Sequence, residues 1–273
     1  MLSVEIIAIG NEVLQGDVLD TNSHWLCKQI AGLGGRVERA VIVRDDQTAI
    51  VRELHGAKQR QSRLIFTTGG LGPTGDDLTL AAIAAATGQP LAINDEALAM
   101  VTTTYKTLAQ EGSVPDAAMT PPRKKMARLP QGAVPLKNPV GAAPGMLLEI
   151  EDITVVSLPG VPGEMKAIFT EALQPTLDAL FGQSAYLEKR VIVDCRDESV
   201  LAPILQAVAD HHPDVYVKSR AKGFGPDVKF RITLSTAGPS AGDVAQTLEK
   251  TLTSLKQALD EHGMGILEVK EPE

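Results

Sequence analysis

The sequence predicts an α/β protein: a three-layer, doubly wound, mostly parallel sheet, followed by a smaller α+β domain. Three observations carry this. Short β-branched runs alternate with helix-period segments from Ser3 to Thr87, the pattern of strands joined by crossover helices. The third such run passes directly into a glycine-rich stretch and then a helix. The alternation restarts, in a shorter form, after Tyr186. At about 150 residues per domain, 273 residues fit two domains. With 44% hydrophobic but only 3% aromatic residues, the core must be built from Val, Ile, Leu and Ala.

Ser3 to Ile9 (SVEIIAI) is β-branched, ends at Gly10 and reads as a buried strand. Thr21 to Leu33 is helical, with Leu26, Ile30 and Leu33 at helix spacing and Gly34-Gly35 as the stop. Arg36 to Val43 alternates as a second strand, and Asp45, Asp46 and Thr48 open a helix through Ile50, Leu54 and Ala57. Arg63 to Thr68 is the third strand, and Leu78 to Thr87 an Ala-rich helix closed by Gly88. A helical hairpin is expected next, beginning with Asn94 to Gln110 and broken by the prolines between Pro115 and Pro122. Ala133 to Leu136, Met146 to Ile150 and Thr154 to Leu158 are short strands, and Gly163 to Leu180 a helix interrupted by Pro175. A boundary falls near Phe181 to Tyr186, giving domains 1–180 and 187–273. The second reads strand (Leu187 to Asp194), helix (Glu198 to Ala209), strands (Val215 to Ser219, Val228 to Ser235), helix (Asp243 to His262) and a last strand, Ile266 to Val269. That order is close to a split βαβ or KH-like layout.

A formal net charge of -8 argues against nucleic acid as a partner; the short basic run Arg123, Lys124, Lys125 and Arg128 either reaches a ligand phosphate from a mobile segment or, the plainer reading, is a solvated face. No stretch approaches the ~18 apolar residues of a membrane span. The N-terminus is a strand rather than a signal peptide. Cys27 and Cys195, far apart in different domains, form neither a disulfide framework nor a metal pair. A cytoplasmic protein is the expectation.

The chemistry concentrates in four loops. Thr67-Thr68-Gly69-Gly70-Leu71-Gly72-Pro73-Thr74-Gly75-Asp76-Asp77-Leu78-Thr79 joins a strand to a helix, and ligands of open α/β sheets bind outside the carboxyl ends of strands. Its glycines give phosphate oxygens close access to backbone N–H groups, and the helix start adds its dipole. Asp76 and Asp77 would repel a phosphate unless a divalent cation lay between them, so the pair suggests a Mg²⁺-type site; the plainer reading is an acidic helix cap. The formal GxGxxG follows the third strand and contains Pro73, and no Gly-Lys-Ser/Thr ending is present, so neither a Rossmann fingerprint nor a P-loop fits. Gly10-Asn11-Glu12-Val13-Leu14-Gln15-Gly16, leading to Asp20-Thr21-Asn22-Ser23, brings Glu12 and Asp20 to the same sheet edge, as ligand contacts or, for Asp20, as a helix cap. Asn138-Pro139-Val140-Gly141-Ala142-Ala143-Pro144-Gly145 and Pro159-Gly160-Val161-Pro162-Gly163-Glu164-Met165 are rigid loops, either part of the site or simply turns. His211-His212 has no accompanying ligand and reads as an exposed helix end.

Together GNEVLQG with DTNS, TGGLGPTGDD with Thr79, NPVGAAPG and PGVPGEM resemble the N-terminal part of the CinA family, over about residues 1 to 180. That resemblance implies a molybdopterin-binding-like domain of the MoaB and MogA type, then a small KH-like domain. Many CinA proteins continue into a nicotinamide mononucleotide deamidase; this chain stops at Glu273, so deamidation is not expected of it. The resemblance implies metal-dependent hydrolysis of ADP-ribose to AMP and ribose 5-phosphate, with a divalent cation, Mg²⁺ or Co²⁺, and K⁺ beside it. Asp76 and Asp77 would hold the cation, and Glu12 or Asp20 orient water. Gly10, Asn22, Thr68, Gly69, Gly70, Leu71, Gly72, Pro73, Thr74, Gly75, Thr79, Asn138, Gly141, Pro144, Gly145, Pro159, Gly160, Pro162 and Glu164 would line the substrate. Molybdopterin binding or adenylylation is the second candidate, and a non-catalytic nucleotide-binding scaffold the third. The expected partners are a small nucleotide or pterin and further copies of the chain. Lys222-Gly223-Phe224-Gly225 does not supply the GXXG loop of an RNA-binding KH module.

Overall fold

A computed structural model describes residues 2–182, 185–195, 197–221 and 229–270. The Lys222-Gly223-Phe224-Gly225 segment and Val228 lie outside the described residues. The chain divides into two compact units, with the main cut between Leu180 and Phe181 and the short stretch Ala31–Gly34 counted with the second.

The first unit is built on a six-stranded sheet of order β2-β1-β3-β8-β7-β6, where β1 is Ser3–Ile9, β2 Arg36–Val43, β3 Leu64–Thr68, β6 Val134–Leu136, β7 Gly145–Ile150 and β8 Ile153–Leu158. β2, β1, β3 and β8 are parallel; β7 and β6 complete the edge as an antiparallel meander. A single helical turn, α1 (Asn11–Leu14), leaves β1. The side-chain period of two sorts the core. Ile7, Ile9 and Ile65 pack with Ile50 and Leu54 of α3 (Gln47–Gln59), Ile83 of α4 (Thr79–Thr87) and Val101 of α5 (Asp95–Gln110). On the other face Phe66 meets Phe169, whose ring also takes the edge of Trp25 from α2 (Thr21–Gly32) at 5.1 Å between centroids. Helices therefore cover both faces, as expected.

Local signals set the ends. Asp46 Oδ1 accepts from Ala49 N at 2.8 Å to start α3, and Asn94 Oδ1 from Ala97 N at 2.9 Å to start α5. Gly88, at φ 68°, closes α4 in the left-handed region. The helix expected from Gly163 to Leu180 is three pieces: α7 (Pro162–Ala167), a π-helical turn at Ile168–Ala172, and α8 (Gln174–Phe181). The disruption precedes Pro175, which has no N–H to continue the ladder. Two three-residue strands were not foreseen: β4 (Leu91–Ile93) pairs antiparallel with β5 (Arg128–Pro130), a pairing too short to show in periodicity. The expected helical hairpin is instead α5 followed by a single five-residue helix, α6 (Pro121–Lys125).

At the amino end of β1, Glu5 is 2% exposed and takes a bidentate pair from Arg60 (2.8 and 2.7 Å) and the Ser62 hydroxyl at 2.5 Å. Burial pushes its carboxyl pKa up, but these hydrogen bonds and the Arg60 charge outweigh that and hold it below the ordinary value.

The second unit runs β9 (Ala185–Val193), α9 (Glu198–His211), β10 (Tyr216–Ala221), β11 (Phe230–Gly238), α10 (Ala241–Glu261), β12 (Ile266–Lys270). Its sheet order is β10-β11-β9-β12 with every neighbour antiparallel. β9 and β10 thus run parallel with β11 between them, which is a split βαβ completed by β12. Val191, Val193, Phe230, Ile232 and Leu234 pack with Leu201 and Ile204 of α9 and Leu248 and Leu255 of α10, so both helices lie on one face of the sheet. His211 is exposed at the end of α9 as expected, its Nδ1 on Ala207 O at 2.7 Å.

Candidate functional site

Parallel strands place their carboxyl ends together, so the loops leaving β1, β2, β3 and β8 share one edge of the sheet. There they enclose an open pocket of about 600 Å³. Its wall includes Glu12, Gly69, Gly70, Leu71, Gly72, Pro73, Asp76, Asp77, Pro159, Gly160, Pro162 and Glu164. Three of the four loops singled out in the sequence thus contribute expected residues, and the fourth enters through Ala142 and Ala143.

The loop after β3 is locked before any ligand arrives. Gly69 and Gly70 have φ of 100° and 67°. A Cβ on Gly69 would stand 2.1 Å from the carbonyl oxygen of Ile9, so only glycine fits there. Thr79 is fully buried and donates its hydroxyl to Gly69 O at 2.7 Å, pinning the helix start to the turn. The Gly69 N–H goes to Leu158 O at 3.0 Å, Thr79 N–H to Gly70 O, and Thr74 N–H to Asp77 Oδ2 at 2.8 Å. Among the described residues the N–H groups of Gly70, Leu71 and Gly72 find no acceptor. Of the glycine-rich stretch, Gly69 to Pro73 line the pocket, while Thr74 and Gly75 are not among its lining residues.

Thr74 draws the two aspartates together: its hydroxyl lies against Asp76 Oδ1 and 2.6 Å from Asp77 Oδ2. One hydroxyl has one proton, so it serves one carboxylate at a time. The Thr74 hydroxyl first, then the Asp76 backbone N–H and, least, the Lys125 charge hold the Asp76 carboxyl below its ordinary pKa.

Lys125 was read as part of a solvated face, and the structure corrects this. Its ammonium donates to the carbonyls of Gly72 (3.3 Å), Asp77 (2.7 Å) and Thr74. Burial lowers its pKa, partly opposed by the charges of Asp77 and Asp76. Its neighbour Arg123 lies 4.0 Å over the Tyr105 ring and donates to Asp116 O and Ala118 O. Tyr105 is itself on the pocket wall. In the sequence Lys125 is one of two adjacent lysines after Pro121-Pro122, and its reach of 53 residues back to Gly72 was not readable.

One lining carboxylate was missed. Asp45, just past β2, lines the pocket and accepts the Asn11 N–H at 2.7 Å. Burial pushes its pKa up, and the charges of Glu12 and Asp76 add to that, against the Asn11 hydrogen bond. The sequence showed Asp45-Asp46 as one helix opening; the structure divides them, with Asp46 capping and Asp45 facing the pocket.

Other expected site residues build the walls from behind. Asp20 Oδ1 accepts Ser23 N at 2.9 Å as the cap of α2, and Asp20 is not among the lining residues. Asn22 donates to Gly160 O at 2.8 Å, and its Oδ1 is buried without a partner among the described residues. Gly10 closes β1 on Val43 O at 3.1 Å, and Thr68 ends β3, buried. Asn138 organises its loop: Oδ1 accepts from Gly141 N at 2.9 Å, and Nδ2 donates to Ala143 O at 2.9 Å and Glu164 Oε2 at 2.6 Å. Gly141 and Pro144 line a separate pocket of about 280 Å³, and Gly145 starts β7.

No Lys, Arg or His stands among the described lining residues, while Glu12, Asp45, Asp76, Asp77 and Glu164 do. Among the described residues no group of three or more His, Cys, Asp or Glu is placed to hold a metal ion alone. Hard carboxylate oxygens in pairs fit a Mg²⁺-type ion whose remaining ligands come from substrate and water. Among them, too, no helix is long and apolar enough to cross a membrane.

The comparisons with known proteins agree with the first unit. A crystal structure of the protein CinA from Thermoplasma acidophilum is 36% identical with a TM-score of 0.58, covering 64% of this chain and 97% of that one. A protein of Aeropyrum pernix is 40% identical over 268 residues, 96% of each chain, and one of Pyrobaculum arsenaticum 45% identical over 219 residues, 80% of each. The family model described as a probable molybdopterin binding domain matches residues 5–179, the span that holds every wall of the pocket, and the chain belongs to that family.

Proposed function

We propose that the pocket binds a phosphate-bearing nucleotide or pterin together with a divalent cation, and that the chain hydrolyses ADP-ribose to AMP and ribose 5-phosphate. The observation that carries this is electrostatic. The pocket offers free N–H groups at Gly70 to Gly72, as a phosphate needs, yet is ringed by carboxylates. The nearest ammonium, on Lys125, is spent on three loop carbonyls. An anionic ligand is therefore admitted only with its own positive counter-charge.

Asp76 and Asp77 would hold the cation, Mg²⁺ or Co²⁺, which supplies charge to offset what develops at phosphorus. The N–H groups of Gly70, Leu71 and Gly72 orient the phosphates. Asp45, with its pKa raised, and Glu12 line the pocket and would orient the water whose oxygen forms the new bond to phosphorus. Its proton passes to one of these carboxylates as the bridging P–O bond breaks and the bridging oxygen leaves with one phosphate. Glu12 and Asp45 take the water-orienting role foreseen for Glu12 or Asp20, because the Asp20 carboxylate is engaged as a cap.

The family match favours a second reading, molybdopterin binding or adenylylation in the same pocket. One assay separates them: AMP release from ADP-ribose by purified protein with Mg²⁺, with Co²⁺ and with EDTA. Hydrolysis is expected with metal, lost in EDTA, and reduced on the order of 10²-fold or more in D76N and D77N. No AMP with any metal, or unchanged turnover in D77N, would leave the pterin reading in its place.

A further inference from the structure

The second unit lies outside the span of the family match, and the pocket does not use it. Its sheet has one face covered by α9 and α10. The other face is set by the register. Val191 and Val193, opposite Ile232 and Phe230, point to the helices, so their neighbours point away. The pairings Arg220↔Arg231, Lys218↔Thr233 and Tyr216↔Ser235 continue that second face across β11 and β10, and Lys270↔Arg190 extends it to β12.

This face is basic although the chain as a whole is acidic. It carries Arg190, Lys218, Arg220, Arg231 and Lys270 against Glu188 and Glu268. Both acids are already paired, Glu188 with Arg190 at 2.7 Å and Glu268 with Lys270 at 3.0 Å. Lys218, Arg220 and Arg231 have no ion pair among the described residues. The compensating acids Glu198, Asp210, Asp243, Glu249, Asp260 and Glu261 lie on α9 and α10. Net charge argued against a polyanionic partner; the charge is segregated, so that argument does not reach this face.

Two details show that the cations lack a counter-charge rather than merely decorating a surface. Arg220 and Arg231 stand directly opposite each other on adjacent strands, where like charges are destabilising. Among the described residues Arg231 Nε is buried with no acceptor, a further sign that its side chain is not neutralised within the sheet. An anion between the two guanidiniums would offset their like-charge contact. Lys218 and Arg220 follow one another at two-residue spacing, about 6.7 Å along the strand. A chain of successive phosphates therefore fits them better than a single one. Tyr216, on the same face of the same strand, is 59% exposed and offers a ring to a base. An extended strand of phosphates with stackable bases is the ligand that this combination of cations and aromatic surface recognises.

We propose that the open face of the β10-β11-β9-β12 sheet binds single-stranded nucleic acid, with backbone phosphates on Lys218, Arg220 and Arg231 and a base stacked on Tyr216. The test is fluorescence anisotropy of the full chain with a labelled oligo(U) and oligo(dT) of about a dozen nucleotides, titrated in salt from about 25 to 200 mM. Binding is expected to weaken with salt, with a log-log slope near −0.7 for each phosphate engaged. The R220Q/R231Q double variant is expected to lose at least about tenfold in affinity and to flatten that slope. Its melting temperature should stay level or rise, because a like-charge pair has been removed. Y216A should weaken binding with the slope unchanged. D77N, in the other unit, should bind oligonucleotide as the unsubstituted protein does. No binding at the lowest salt, binding untouched by R220Q/R231Q, tighter binding to the duplex of the same sequence, or binding to anionic vesicles in place of oligonucleotides would each overturn the proposal.

Discussion

Gly69 shows what a single residue decides at this site. Its φ of 100° and the 2.1 Å that would separate any Cβ there from Ile9 O leave no room for a side chain. Gly69→Ala should cost at least about 2 kcal/mol in urea unfolding, from left-handed strain and the displaced loop. Gly75→Ala, where nothing lies within 4 Å, is the matched control and should cost little. Asp45 tests the opposite trade. Its carboxyl pKa is raised in the folded chain, so the ionised form burdens stability above that raised value, and the burden disappears as pH falls below the ordinary 3.8. Asp45→Asn keeps an oxygen to accept the Asn11 N–H. We expect a melting temperature at neutral pH equal to or above that of the parent, a gain that shrinks on acidification, and loss of turnover. A variant less stable at pH 7 would contradict the assignment. The residue scale is also where the sequence said least. Asp45 and Asp46 are adjacent and identical, and only the turn of the backbone after β2 sends one to a cap and the other to the pocket.

Elements were legible where their signals are local. The periodicity of β1, α3 and β3, the Asp46 and Asn94 caps and the Gly88 stop all lie within a few residues of what they specify. β4 and β5 were not legible, because a three-residue strand has no period and its partner lies some 37 residues away. α6 is the instructive case. Thr120 followed by Pro121 at the first turn is a helix start, yet five residues cannot form a stable helix alone. It stands because Arg123 and Lys125 tie it to Tyr105 and to the loop after β3. Lys125→Met keeps the stem and removes the three donors. Partly buried carbonyls at Gly72 and Asp77, and the exposed one at Thr74, would lose their partner, at about 1–3 kcal/mol. Hydrogen exchange should show the Gly-rich loop opening more often in that variant, while β9 to β12 exchange as before. Uniform protection across the loop would mean that Lys125 does not hold it.

Across the first unit the work is divided between the two ends of the parallel strands. The amino end of β1 carries a closed network of Glu5, Arg60 and Ser62, in which each charge is met. The carboxyl end carries Glu12, Asp45, Asp76 and Asp77 around a pocket with no lining cation among the described residues. The first end is neutralised within the chain; at the second, burial and the charges of Glu12 and Asp76 push the Asp45 carboxyl up, while the Thr74 hydroxyl holds Asp76 down. That division follows from the α/β alternation in the sequence, which fixes where ligands sit even before any residue is assigned. What the alternation could not give is the cation balance, since Lys125 comes from a distant short helix and is consumed by the backbone. The claim at the centre is that a divalent cation is the counter-charge for the ligand phosphate. Calorimetry of ADP-ribose binding at fixed pH, with Mg²⁺ and with EDTA, in the parent chain and in D77N, tests it most directly. Binding that requires Mg²⁺ and falls at least about tenfold in D77N is the expected result; binding of equal strength in EDTA would contradict it.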